Sequence, residues 1–224
     1  MKHPQFTLDL NRPDDTSPSA FARAPANEAA VRLVETWPDW PGPVAAIVGP
    51  AHSGKTHLGE MWAARANAAV ASLGNLASTD IAETTDAPLW LMHDDAEKFD
   101  EDALFHLINL AREDKRHVLI TARDVPAKWM VALPDLASRL KALPVAEIGA
   151  PDEALLEAIL VKRLTDKGVD PDPAMMRYLL ARMDRTFEAA HLVAEALGRR
   201  TLAAQRRATV RLAAEVLEEI GTTE

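Results

Sequence analysis

The sequence predicts an α/β fold with a parallel sheet around a phosphate-binding loop, followed by a small all-helical region. Three observations carry this expectation. Residues 49–56 read Gly-Pro-Ala-His-Ser-Gly-Lys-Thr, a complete G-x-x-x-x-G-K-[ST] motif, and the apolar run Val44-Ala45-Ala46-Ile47-Val48 stands where the strand feeding such a loop belongs. From there to residue 148, short apolar runs alternate with helix-compatible stretches, the pattern of parallel strands joined by crossover helices. After Pro151 only helical patterning remains.

Taken in order, Pro4, Pro13, Pro18 and Pro25 among Asp, Ser and Thr mark residues 1–26 as a mobile stretch, of which 1–20 form the arm proper. Asn27 is placed to cap a helix to about Thr36, which Trp37-Pro38-Asp39-Trp40-Pro41-Gly42-Pro43 ends. Strand 44–48, the loop and a helix over 55–69 follow. Further strands are expected at Ala69–Leu73, Pro88–Met92, His117–Thr121 and Val145–Ile148, with helices at Asp100–Asp114 and Lys128–Leu140. The later helices are Asp152–Lys167, Asp172–Met183 with Pro173 in its first turn, Arg185–Arg199 and Thr209–Ile220. The division is an arm (1–20), an α/β domain (21–150) and a helical domain (151–224).

The loop motif states its own chemistry. Glycines let backbone N–H groups approach phosphate oxygens, Lys55 neutralises β/γ charge, and the Thr56 hydroxyl is a ligand for Mg²⁺. Gly49, Pro50, Ala51, His52, Ser53, Gly54, Lys55, Thr56 and His57 are therefore the candidate nucleotide site, with ADP or ATP as the cofactor. An Asn-Lys-x-Asp guanine reader is absent, which favours adenine. A second element is Leu89-Trp90-Leu91-Met92-His93-Asp94-Asp95, an apolar strand ending in carboxylates about 40 residues after the loop. In a Walker B reading Asp94 holds Mg²⁺ and Asp95 polarises water; the alternative is a solvated acidic loop with Glu97 and Asp100.

Composition narrows the partners. With 224 residues, 48% of them hydrophobic, the chain can bury a sizeable core. A net charge of −9 suits a protein or small-ligand partner better than a DNA phosphate backbone. Arg199-Arg200 and Arg206-Arg207 allow at most a weak, non-specific DNA contact. There are no cysteines for disulfides or thiolate metal sites, no apolar run near the roughly 20 residues of a membrane span, and no secretion signal, so the cytoplasm is the expected address. The seven histidines lack the H-x-x-x-H spacing of a metal centre, and the five tryptophans interleave with no basic run, which leaves packing as their role.

The segment Leu133-Pro134-Asp135-Leu136-Ala137-Ser138-Arg139-Leu140 completes an ordered set of signals. With the loop and the Leu89–Asp95 element, it resembles the AAA+ superfamily over essentially the whole chain, and within it the DnaA-related proteins of the Hda type. The resemblance implies an AAA+ P-loop domain with a helical lid. It makes Arg139 an arginine finger reaching a nucleotide in a neighbouring subunit, Val118-Leu119-Ile120-Thr121 the sensor 1 strand, and Arg185, opening Arg185-Thr186-Phe187-Glu188, the sensor 2 residue facing the γ-phosphate in cis. Relatives carry an acidic residue directly after the sensor 1 strand; here Arg123 precedes Asp124.

Gln5-Phe6-Thr7-Leu8-Asp9-Leu10 resembles the peptide by which proteins dock on the replicative sliding clamp, with the Gln5 amide and apolar Phe6, Leu8 and Leu10 as its contacts. Initiators of the DnaA type carry a helix-turn-helix reader after the lid, for which there is no room before Glu224, so origin reading is not expected. The implied function is a regulator of replication initiation, nucleoid- or replisome-associated in a bacterial cytoplasm. Its partners are the initiator DnaA and the DNA polymerase sliding clamp, with a nucleotide-dependent homo-oligomer also compatible. Two other classes stand beside it: an autonomous AAA+ ATPase of the helicase-loader or clamp-loader kind, and a small P-loop kinase, disfavoured because no Arg-rich lid or acceptor site is evident.

Overall fold

A computed structural model of the chain describes residues 21–76, 87–93, 98–204 and 208–221, with the side chains of 203 and 204 left aside. Five parallel strands, β1 (Val44–Val48), β2 (Ala69–Ser72), β3 (Leu89–Met92), β4 (Val118–Ala122) and β5 (Val145–Glu147), form one sheet in the order β2-β3-β4-β1-β5. All residues of β1 and β4 are buried. This is why they read as continuous apolar runs: a central parallel strand is covered on both faces.

Alternating side chains of β1 feed two cores. Val44, Ala46 and Val48 face α3 (Glu101–Glu113) and α4 (Pro134–Lys141) through Leu104, Leu107, Ile108, Leu136 and Leu140. Ala45 and Ile47 face α1 (Glu28–Thr36) and α2 (Lys55–Ala66) through Val31, Val34, Leu58 and Trp62. Helices α5 (Glu153–Asp166), α6 (Pro173–Leu180), α7 (Phe187–Ala204) and α8 (Val210–Gly221) share a third core around Leu160, Leu164, Leu179, Leu197 and Val216. Leu155 of α5 and Phe187 of α7 instead join the α1/α2 core and tie the helical part to the sheet. No described helix is long and apolar enough to cross a membrane.

Several boundaries move for identifiable reasons. Helix α2 ends at Ala66, because Asn67 takes the left-handed conformation and its N–H closes on the Ala63 carbonyl. The helix expected over Lys128–Leu140 is only Pro134–Lys141, preceded by a 3₁₀ turn at Pro126–Lys128. Proline fits a first helical turn but not an interior, and the Glu101 carboxylate accepts from Ala132 N (2.9 Å) and Leu133 N (2.8 Å), holding that entry outside the helix. Helix α7 starts at Phe187 rather than Arg185, because Thr186 Oγ1 accepts from Ala189 N (3.0 Å) as a cap. Asn27 precedes α1 without capping it: its buried amide accepts from Ala24 N and donates to the Ala22 carbonyl. Residues 21–26, expected to be mobile, are thus folded onto the body.

Helix α2 approaches the sheet at Gly59, where an added Cβ would lie 2.2 Å from Cε2 and Cζ2 of Trp90. The indole cannot swing away freely, because its Nε1 donates to Thr121 Oγ1 (3.0 Å) in a buried pair across β3 and β4. Replacing a helical glycine by alanine gains about 1 kcal/mol of propensity, whereas overpacking costs about 1–3 kcal/mol and a displaced buried hydrogen bond costs about 1–3 more. Gly59→Ala is therefore expected to lower the urea midpoint; an unchanged or raised midpoint would show that this contact is slack.

Candidate functional site

The loop over residues 49–54 leaves the end of β1 and turns into α2. Gly49 is confined: its N–H donates to the Ala122 carbonyl (3.3 Å), and an added Cβ would lie 2.9 Å from Ile148 Cβ and 3.0 Å from the Ile148 carbonyl oxygen. Gly54 has φ +93°, a left-handed value costly for other residues, and Phe21 lies 3.0 Å from where its Cβ would stand. It gives α2 no side-chain cap. Lys55 Nζ donates to the carbonyls of Gly49 (2.8 Å) and Pro50 (2.6 Å), arching across the loop. Buried Ser53 has no hydrogen-bond partner for its Oγ, and exposed Thr56 stands in the first turn of α2. A cradle that a Cβ would fill, uncapped amides and a lysine over them suit an anion.

Around this cradle, the N-terminal segment supplies one wall. The Phe21 ring meets His57 edge-on (centroids 5.1 Å apart), and Gly149 N, after β5, donates to the Ala26 carbonyl (2.9 Å). The helical region supplies contacts on the loop's other side. His52, at φ 60°, stacks flat on His191 of α7 (3.8 Å, 14°), and Arg163 of α5 donates to the His52 carbonyl (3.3 Å). Partial burial pushes His52 below the ordinary imidazole pKa, aided by His191 and Arg163 and opposed by Glu188. Phe21, Arg163 and His191 were not picked out from the sequence. Contacts between residues about 30 or more apart leave no periodic signal.

The other expected residues divide into placed and not described. Trp90 and Leu91 of β3 are buried, and His93 N donates to the Thr121 carbonyl (2.8 Å) while its ring packs on Trp129 (4.4 Å) and Phe99 (5.5 Å). The β3 end thus reaches the C-terminal edge of the sheet where the loop lies. Asp94 and Asp95, which follow it, fall outside the described residues, as do Gln5, Phe6, Leu8 and Leu10. After β4, Arg123 and Asp124 are exposed, and the Asp124 carbonyl accepts from Trp129 Nε1 (3.2 Å).

Arg139 is half-buried on α4, its guanidinium 5.0 Å from the centroid of the Phe105 ring of α3. Helices α4 and α2 pack on opposite faces of the sheet, so Arg139 and Lys55 belong to different layers. Arg185 lies before α7 and pairs with Glu153 (3.1 Å), both side chains largely exposed. The geometry therefore gathers residues 49–57 with Phe21, His191 and Arg163, and leaves Arg139 apart from them.

No family model matches the chain. Its fold, however, is shared with solved structures. Domain III of the replication initiation protein DnaA from Thermotoga maritima aligns with TM-score 0.73 at 18% identity, covering 92% of this chain and 96% of that one. The replication initiator DnaA bound to AMPPCP and single-stranded DNA aligns with TM-score 0.59 at 17% identity, over 86% and 69%. The RuvB Holliday junction branch migration motor of Thermotoga maritima aligns with TM-score 0.59 at 19% identity, over 86% of this chain and 65% of that one. The chain has the AAA+ P-loop fold, a parallel sheet followed by a C-terminal helical region.

Removing the lysine tests the cradle. A hydrogen bond to a charged group is worth about 1.5–3 kcal/mol, roughly ten- to a hundredfold in affinity. In titrations with fluorescent ADP, Lys55→Ala is expected to weaken binding by about that factor in a folded protein. Unchanged affinity would place the phosphates elsewhere.

Proposed function

We propose, from the AAA+ fold and its intact phosphate loop, that this chain is an adenine-nucleotide-binding regulator of replication initiation. It docks on the sliding clamp and stimulates ATP hydrolysis by DnaA. The observation that carries the reading is the cradle at Gly49–Thr56, closed against Ile148 and spanned by Lys55, within a fold shared with DnaA domain III. A related initiator binds AMPPCP, an adenine nucleotide, in the same fold, which supports ADP or ATP here. The loop amides and Lys55 would hold the phosphates; Thr56, with Asp94, would hold Mg²⁺, which supplies charge neutralisation between phosphate oxygens. Arg185, paired with Glu153, would serve the phosphates from the lid once that pair opens. An exposed pair of this kind is worth about 0–1 kcal/mol, so releasing the arginine costs little.

In this reading Arg139 acts in trans. Its position on α4, in the layer away from α2, suits a phosphate held by a neighbour better than one held in its own loop. The guanidinium stabilises charge that builds on the transferred phosphoryl group of the partner's ATP. The Glu101 carboxylate, holding the two amides just before α4, keeps that helix and its arginine in a fixed direction. The N-terminal peptide around Gln5, Phe6, Leu8 and Leu10 supplies the clamp contact, and an autonomous motor of the same fold remains the competing reading.

An arginine finger supplied in trans is worth roughly 10³–10⁵ in rate. Arg139→Ala is expected to keep its own nucleotide and its clamp contact, yet fail to stimulate hydrolysis on DnaA. Lysine should rescue poorly, because a point charge does not reproduce the guanidinium fork. Normal stimulation by the alanine variant would end the adaptor mechanism, and loss of only the chain's own ATPase would put the motor first. Separately, deleting residues 1–10 should abolish co-migration with the clamp and leave nucleotide affinity intact; equal clamp binding by the truncated protein would remove the docking role.

A further inference from the structure

Three side chains from three elements meet on the phosphate loop without belonging to its motif chemistry. The His52 ring lies flat on His191 of α7 (centroids 3.8 Å, interplanar angle 14°), and Arg163 of α5 bridges them, donating to the His52 carbonyl at 3.3 Å and standing 3.1 Å from His191 Nδ1. In a phosphate loop the amides converge on the anion; Arg163 comes from outside the motif and engages the His52 carbonyl, so it holds the loop backbone. Arginine offers only donors, which requires His191 Nδ1 to be the acceptor and hence the imidazole to be neutral, with its proton on Nε2. Protonation at Nδ1 would set one donor against another.

We propose that His52, His191 and Arg163 form a clasp that ties the phosphate loop to the helical lid, closed with neutral imidazoles and opened by protonation. Because the clasp fixes the loop shape that receives phosphate, the nucleotide is held more weakly in acid. This rests on the nucleotide-binding reading of the loop.

The charges around the pair favour the neutral form. Lys55 faces His52 from α2, Arg163 faces both rings from α5, and a cation on either ring would oppose the other. Glu188 of α7 pulls His52 the other way, behind partial burial, His191 and Arg163 in weight. Glu195 of α7 faces His191, but its carboxylate is engaged first by Lys167 and also by Arg199. A clasped His52 pKa below the free value of 6.5 means that the closed form has its full advantage above 6.5. The advantage is lost as pH falls from there through the clasped value.

The test is calorimetric titration of the full chain with ADP at about pH 7.5 and about pH 5.8, on either side of the free imidazole range. Wild type is compared with the double variant His52→Asn, His191→Phe; asparagine tolerates the left-handed backbone at position 52, and phenylalanine keeps a flat ring. Comparing the two cancels protonation of ADP itself. The wild type is expected to lose at least about fivefold more affinity on acidification than the double variant, the low end of couplings between sites. Equal losses with measurable ADP binding would overturn the clasp. If neither protein binds ADP at any pH, the nucleotide reading fails, and histidine NMR of the chain alone decides the clasp. A His52 midpoint that rises in His191→Phe supports it; an unmoved midpoint overturns it.

Discussion

The confinement of Gly49 governs the rest of the molecule. Strand β1 lies between β4 and β5, and at its end the chain passes so close to Ile148 that a side chain would not fit. Ile148 N donates to the Val48 carbonyl (2.8 Å) and Gly49 N donates to Ala122 (3.3 Å), so both neighbouring strands grip the base of the loop. A backbone held this way at its base aims the start of α2, and Lys55 and His52 add to its hold further along the loop. Trp90, wedged on Gly59 and bonded to Thr121, then fixes α2 against the sheet about one turn into the helix.

This arrangement separates two kinds of positive charge. Lys55 arches over the loop from within, in the α2 layer, whereas Arg139 rests on Phe105 in the opposite layer. In the proposed reading the first cation serves a ligand of this chain and the second a ligand held by a partner. A guanidinium lying on an aromatic face gives up an interaction worth about 0.5–1 kcal/mol when it leaves. The helical region touches the loop through His191 and Arg163, which meet His52 there.

Much of this was legible in the sequence because of burial. Strands covered on both faces must be apolar throughout, so β1 and β4 announce themselves, and the Gly-Lys-Thr ending declares the loop. Asp100, Asp152 and Asp172 cap their helices where short acidic residues before a helical run belong. What could not be read depends partly on distant partners and partly on local competition among polar groups for backbone bonds. Trp129, Met130 and Val131 look like part of a helix until Glu101, some 30 residues earlier, takes the amides of Ala132 and Leu133. Thr186 rather than Arg185 sets the start of α7, and Asn27 turns its amide back to Ala22 and Ala24 instead of forward into α1. Phe21 on the loop and the paired imidazoles likewise follow from tertiary structure alone.

A loop that holds a nucleotide by its phosphates will show it in calorimetry with ADP, GDP and adenosine. Two or more charge-assisted hydrogen bonds at about 1.5–3 kcal/mol each predict that adenosine binds at least about a hundredfold more weakly than ADP. GDP, which offers the same phosphates, should retain part of the affinity. Adenosine binding as tightly as ADP would mean that the affinity comes from a base pocket and not from the cradle at Gly49–Thr56.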